Sequence, residues 1–322
     1  MTQGYPRLLG DIGGTNARWA WLAAPGAALQ DVEVRPCAAS GSLAESAEAY
    51  LAEHAHPRPR WACVGIATAI TGDEVRMTNS PWAFSIAGLR RELGVERCLV
   101  INDFTALALS LPALAAGDLR ALGGATAVTG APLALLGPGT GLGVSGLLPD
   151  GAQRWSALSG EGGHVTLAAM DGEEAAVLGV LRRRFGHVSA ERALSGAGLV
   201  NLVDALRELD GHPAAALAPA DVTQAAIAGT DATCVRAVRL FSAFLGNVAG
   251  NLVLTLGARG GVYVGGGVVP RLAGAFDAAL FRRRFEDKGR FAAYLQPVPA
   301  WLITAETPAL LGAARALDTL PA

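Results

Sequence analysis

Two short glycine turns, each with a threonine and each set between apolar runs, constrain this chain more than any other feature. The first is Gly10-Asp11-Ile12-Gly13-Gly14-Thr15, flanked by apolar runs at 7–11 and 16–23. The second, Gly137-Pro138-Gly139-Thr140-Gly141-Leu142-Gly143, lies between runs at 133–136 and 142–148. Each predicts two strands joined through a tight turn. Glycine lets the backbone turn sharply and expose N–H groups, and these, with a threonine hydroxyl, can bind phosphate oxygens. One Asp-x-Gly-Gly turn is ordinarily a hairpin with Asp as turn former; two strand–turn–strand clips of one design argue for a phosphate ligand. Asp11 ends its strand and is expected to face the same mouth. A carboxylate there repels phosphate unless a divalent cation lies between them, which argues for Mg²⁺. The string Gly141-x-Gly143-x-x-Gly146 spells the dinucleotide fingerprint, but that motif opens a helix. Here Pro149-Asp150-Gly151 follows too soon, and the Rossmann reading is rejected.

A third turn, Gly265-Gly266-Gly267, follows the apolar strand at 261–264. Backbone that bare lets a flat ring such as adenine lie close; a plain strand-to-helix turn accounts for it equally well. Asn102-Asp103 follows the apolar strand 97–101 and precedes the helical pattern from Phe104. One of the pair is expected to cap the helix. The same position, at the carboxyl end of a strand, is where open α/β sheets bind ligands, and Asp103 there could take a proton from an alcohol. In Glu161-Gly162-Gly163-His164 the two glycines leave carboxylate and imidazole free to converge on vicinal hydroxyls. Glu191 falls at a predicted helix start, where dipole complementarity alone explains it. His54 and His56 read as exposed loop residues.

Composition removes several alternatives. Lys288 is the only lysine among 26 basic residues, and its setting, Glu286-Asp287-Lys288-Gly289-Arg290, is neither a Walker A loop, a kinase strand lysine nor a Schiff-base site. A net charge of −2 gives no footprint for nucleic acid or an anionic membrane. Cys37, Cys63, Cys98 and Cys234 form no CxxC pair, so neither a zinc ribbon nor a disulfide framework is expected, and scattered thiols fit a reducing cytoplasm. The first residues have no basic segment and the apolar run breaks at Asp11, so no signal peptide is expected. Residues 240–258 carry no charge and hold Gly246 and Gly250 at GxxxG spacing. With Ser242, Asn247 and Asn251 inside it, this segment reads as a buried core helix, not a membrane span. Helices are also expected at 42–54, 85–93, 104–116, 172–186, about 190–210, 221–228, 232–257 and 307–317, with further strands at 31–36 and 61–68. The pattern is mixed α/β without a Ser- or Pro-rich linker.

The strings LLGDIGGTNARWAW, MTNSPWAFSI, INDFTALALS, GPGTGLGV, SGEGGHV, GHVSAERALSGAGLVNL, GGVYVGGGVVPR and FEDKGRFAAYL run almost end to end. They resemble the bacterial ATP-dependent glucokinase family, within the hexokinase, actin and heat-shock-chaperone ATPase superfamily. The resemblance implies an α/β, two-lobed ribonuclease-H-like (actin/hexokinase-like) fold, with a cleft between a small and a larger domain. The small domain is expected at 1–112 plus 304–322 and the large one at 113–303, with the last strand and helix returning to the first lobe. It further implies that Gly10, Asp11, Ile12, Gly13, Gly14 and Thr15, with Gly139, Thr140 and Gly141, hold the ATP phosphates, and that Gly265 and Gly266 face the adenosine. Asp11 would bind Mg²⁺. Asn102, Asp103, Glu161, His164 and Glu191 match the sugar-binding positions, joined by Asn79, and Asp103 matches the catalytic base. The expected activity is phosphorylation of glucose at its 6-hydroxyl for glycolysis, with sugar-driven closure limiting ATP hydrolysis. Structural zinc is not expected, because the Cys-rich motif of the related repressor/open-reading-frame/kinase family is missing. The resemblance also implies a cytoplasmic homodimer with no nucleic acid or membrane partner. The rivals are the same chemistry on fructose, mannose or an N-acetyl hexosamine, a non-catalytic sugar sensor, and an ATPase chaperone. The sensor would be expected to carry a DNA-binding extension, and the chaperone to lack the cluster around Glu161 and His164.

Overall fold

A computed structural model describes residues 4–77, 80–151 and 154–319. By its contacts the chain divides into two α/β units, the first comprising Met1–Ala115, Arg154–Ser159 and Ala305–Ala322, the second Ala116–Gln153 and Gly160–Thr304.

In the first unit, β1 (Arg7–Ile12) and β2 (Asn16–Leu22) pair antiparallel across the first glycine turn, and β3 (Gln30–Pro36) lies outside β2. Helix α1 (Leu43–Glu53) starts at Ser42, whose hydroxyl accepts the Glu45 N–H at 3.1 Å. The Glu45 carboxylate accepts from Gly41 N–H at 2.6 Å, one residue before the position a capping box would use. Strand β4 (Trp61–Ile66) is buried throughout and runs parallel to β1, as a continuous apolar run in a sheet covered on both faces should be. The short strands β5 (Glu74–Arg76) and β6 (Ala83–Ser85) pair antiparallel, and Ser85 caps α2 (Ile86–Glu92). Strand β7 (Arg97–Asn102) then runs parallel to β4 and leads into α3 (Asp103–Ser110). The sheet order is β3-β2-β1-β4-β7. Trp19, Tyr50, Ile12, Ile66 and Leu43 fill one side of its core. Helix α3 stops at Ser110, short of the predicted Ala116, and Pro112 falls in the 3₁₀ turn that follows; proline cannot continue an α-helical ladder.

The second unit is built on β8 (Leu119–Gly123), β9 (Leu133–Pro138) and β10 (Leu142–Pro149), the last two antiparallel about the second glycine turn. Strand β11 (Trp155–Ser159) counts with the first unit. Then come α4 (Gly172–Phe185), α5 (Gly196–Leu209), α6 (Pro219–Ala228) and α7 (Ala232–Leu256). Strand β12 (Gly261–Val264) runs parallel to β9, followed by α8 (Val268–Leu272), α9 (Ala278–Glu286) and α10 (Ala292–Leu295). Strand β13 (Ala300–Ile303) pairs with β12 and β8, so the last strand stays with this sheet, contrary to the sequence reading. Only α11 (Pro308–Asp318) returns to the first unit, against α3, where Arg7 pairs with Asp318 at 2.7 Å.

The uncharged stretch lies in α7, which is long and apolar enough to cross a membrane, yet 78% of its most apolar window is buried inside the protein. Asp231 caps it by accepting the Thr233 and Cys234 N–H groups, and Gly257 ends it at φ +62. The GxxxG pair serves a contact within the unit. A Cβ on Gly246 or Gly250 would strike the carbonyl oxygens of Phe281 and Phe285, so the small residues admit the backbone of α9. The lone lysine closes this contact: Lys288 Nζ donates to Asn247 Oδ1 at 2.5 Å, and burial holds its amine below the ordinary lysine range.

Candidate functional site

In the first unit the predicted residues gather at one edge of the sheet. Strands β1, β4 and β7 are mutually parallel, with Ile12 opposite Ile66 and Ile66 opposite Asn102. Their carboxyl ends therefore coincide. Asp11 and the Asn102-Asp103 pair stand two strand spacings apart across that edge, about 10 Å. Gly65 lies between them, and a Cβ on it would come within 3.1 Å of the Ala106 side chain, so a larger residue would push α3 away. Asn102 is the cap that the sequence allowed for. Its Oδ1 accepts the N–H of Phe104 at 2.9 Å and of Thr105 at 3.2 Å, while Nδ2 donates to the Thr68 carbonyl at 3.3 Å. One Nδ2 hydrogen stays available to a ligand. Asp103 Oδ1 accepts the N–H of Phe104 at 2.9 Å, which fixes the carboxylate at the helix mouth.

Asp11 faces Arg18 across the β1–β2 pair, Oδ2 to Nη1 at 3.3 Å. Burial raises the Asp11 carboxyl above its ordinary range, and Arg18 opposes that shift. Sequence reasoning passed over Arg18; the signal was its place seven residues after Asp11, which puts it opposite in a tight hairpin. The turn has Gly13 N–H on the Asn16 carbonyl at 2.9 Å and Cys37 N–H on the Thr15 carbonyl at 2.8 Å. Gly13 is outside the left-handed region, and a Cβ there would meet nothing nearer than 3.5 Å. Gly139 in the second turn is similarly open, its nearest contact at 4.0 Å. The fold demands glycine at neither position, whereas a phosphate close against the backbone would.

The second unit brings together Glu161, His164 and Glu191. Glu161 and His164 flank a 3₁₀ turn at Gly162–His164, and both are exposed. Among the described residues neither side chain has a hydrogen-bond partner, so both remain open to a ligand. A Cβ on Gly163 would strike the Leu142 carbonyl, and one on Gly162 would come within 2.7 Å of Val144, so this loop lies flat on β10. Glu191 is in a separate 3₁₀ turn, Ala190–Arg192, and the helix predicted to begin there starts only at Gly196. Ala190 N–H donates to the Val165 carbonyl at 2.9 Å and Leu167 N–H to Val188 at 3.0 Å, which ties the two turns together. Glu191 Oε2 accepts the Leu142 N–H at 2.8 Å, directly after Gly139-Thr140-Gly141. Gly266, at φ +75, is packed against the Pro138 carbonyl, and Gly265 N–H donates to Leu136 at 2.9 Å. The third turn thus abuts the second, and packing is itself a sufficient reason for Gly266.

Asn79 lies outside the described residues. His54 and His56 are not the exposed loop residues that the sequence suggested. His56 stacks on Trp21 at 4.3 Å, with Nε2 3.1 Å from Asp31, and His54 Nε2 sits 2.9 Å from Glu33. Strand β3 supplies both acidic partners, which no local pattern announces. A groove of about 530 Å³ on the first unit, lined in part by Arg90, Arg91 and Cys98, contains none of the predicted site residues. Among the described residues no three His, Cys, Asp or Glu side chains gather as a ready metal cage.

Residues 8–320 match the family described as Glucokinase. A glucokinase of Aromatoleum aromaticum is 54% identical over 315 residues, covering 98% of this chain and 95% of that protein. One of Chromobacterium violaceum is 51% identical over 314 residues, covering 98% and 90%. Among solved structures, a glucokinase from an Antarctic psychrotroph aligns with a TM-score of 0.89 at 35% identity, covering 98% of this chain and 99% of that one.

Proposed function

The chain belongs to the glucokinase family, and we propose that it transfers the γ-phosphoryl group of ATP to the 6-hydroxyl of D-glucose, with Asp103 as general base. It is an ATP-dependent hexose kinase of the α/β, ribonuclease-H-like (actin/hexokinase-like) fold. The observation that carries the finer reading is the shared sheet edge, where Asp103 and the Asp11–Thr15 turn stand at the carboxyl ends of strands on either side of β4.

Asp103 takes the proton from the 6-hydroxyl as that oxygen attacks the γ-phosphorus, a step worth about 10²–10⁴ in rate for a positioned base. The backbone N–H groups of the two glycine turns and the hydroxyls of Thr15 and Thr140 donate to the phosphate oxygens as charge spreads over them. Asp11 would hold Mg²⁺, which when bound with ATP neutralises charge on the β- and γ-phosphates. Asn102, Glu161, His164 and Glu191 read the sugar hydroxyls. A sugar with one of those hydroxyls missing or inverted leaves one of these polar groups without its partner, so discrimination should be strong. The four free thiols support a reducing cytoplasm as the compartment.

The test is ADP release from Mg-ATP with and without glucose, with Asp103→Asn alongside. Glucose-dependent release is expected, falling about a hundredfold or more in the variant. A folded wild-type protein that shows no glucose stimulation overturns the assignment. Comparable turnover on galactose and fructose overturns the glucose reading while leaving a hexose kinase.

A further inference from the structure

Leu142, the residue that leaves the second glycine turn, touches both segments assigned to the sugar. Its N–H donates to Glu191 Oε2 at 2.8 Å, and its carbonyl lies where a Cβ on Gly163 would stand. The Glu191 segment holds the turn at a second point, Gly196 N–H on the Gly139 carbonyl at 2.9 Å. Ser195 Oγ donates to the Glu191 carbonyl at 2.9 Å and braces that segment. Gly141 completes the arrangement. A Cβ there would collide with Glu191 Oε2, so only glycine lets the carboxylate reach Leu142. Among the described residues Glu191 Oε1 has no hydrogen-bond partner.

From this geometry we infer that Glu191 is a two-ended link: Oε1 accepts a sugar hydroxyl while Oε2 sets the conformation of the phosphate turn through Leu142. Gly141 then acts as a positioning residue for the sugar, although it lies in the ATP turn. The inference rests on the reading of Glu191 as a sugar ligand. It gives sugar and nucleotide a shared element within one unit, through which each ligand alters the affinity for the other by the same factor.

The decisive measurement is titration of a non-hydrolysable ATP analogue with Mg²⁺, in the absence of sugar, against wild type, Glu191→Ala and Glu191→Gln. A residue that only reads sugar leaves nucleotide affinity untouched. Loss of a hydrogen bond to an ionised acceptor should weaken nucleotide binding about tenfold in Glu191→Ala. Glu191→Gln, whose amide oxygen still accepts from Leu142, should stay near wild type. Gly141→Ala and Gly139→Ala give the second readout. Both change the phosphate turn, but only Gly141→Ala displaces Glu191, so only it should raise the KM for glucose about tenfold as well as the KM for ATP. Glu191→Ala binding nucleotide like wild type, or Gly139→Ala and Gly141→Ala shifting the glucose KM equally, overturns the link. Wild type phosphorylating glucose in either case separates that failure from a failure of the assigned function.

Discussion

Gly13 and Gly141 are glycines for opposite reasons. At Gly141 a neighbouring carboxylate fills the space a side chain would need; at Gly13 the space is open. Gly13→Ala should therefore leave the fold nearly untouched, within about 0.5 kcal/mol, while the added methyl stands where phosphate must approach. The KM for ATP is expected to rise about tenfold with little change in Tm, checked by steady-state kinetics beside a thermal melt. A large fall in Tm would mean that the turn needs glycine for its own conformation. A cap within Asn102-Asp103 was legible because the role is local: Asn102 Oδ1 reaches N–H groups two and three residues on. The packing of His56 was not, because its partners Trp21 and Asp31 come from strands β2 and β3.

At the scale of elements, the helix starts at Ser42, Ser85 and Phe104 were readable to within a residue, since a cap and its helix lie together in the chain. The tie between α4 and α9 was not readable. Arg284 bridges Asp171 and Glu174, and Glu174, only 1% exposed, also accepts the Met170 N–H at 2.6 Å. Burial raises the Glu174 carboxyl above its ordinary range, with Met170 and Arg284 opposing. The folded chain thus takes up this proton at a higher pH than the unfolded chain, so ionised Glu174 costs stability at neutral pH. That cost disappears as pH falls through the folded value towards the unfolded one near 4.5. Removing Arg284 deepens it. Arg284→Met should destabilise the protein by about 3 kcal/mol at pH 7, and by much less near pH 4.5. Denaturant unfolding at both pH values checks this, and an equal loss at each would rule out the charge on Glu174 as its origin.

For the whole molecule, the residues proposed for the reaction are divided between the two units: Asp11, Asn102 and Asp103 belong to the first, and Glu161, His164, Glu191 and the second glycine turn to the second. The family resemblance further implies a homodimer, so light scattering on the eluting protein should give about twice the chain mass of 32.8 kDa. A single-chain mass across micromolar concentrations would overturn that expectation.

The strand–turn–strand clips, the helix caps and the acidic residue at a strand end could be read from the sequence because each depends on residues within one or two turns of chain. The order β3-β2-β1-β4-β7 could not, since it brings Asp11 and Asp103 to one edge through pairings between segments far apart in sequence. The same holds for Glu191, which position alone would have dismissed as a helix-start carboxylate. Its place against Leu142, 49 residues away, exists only once β10 and the 190–192 turn have packed together, because a hydrogen bond is fixed by distance in space and not along the chain.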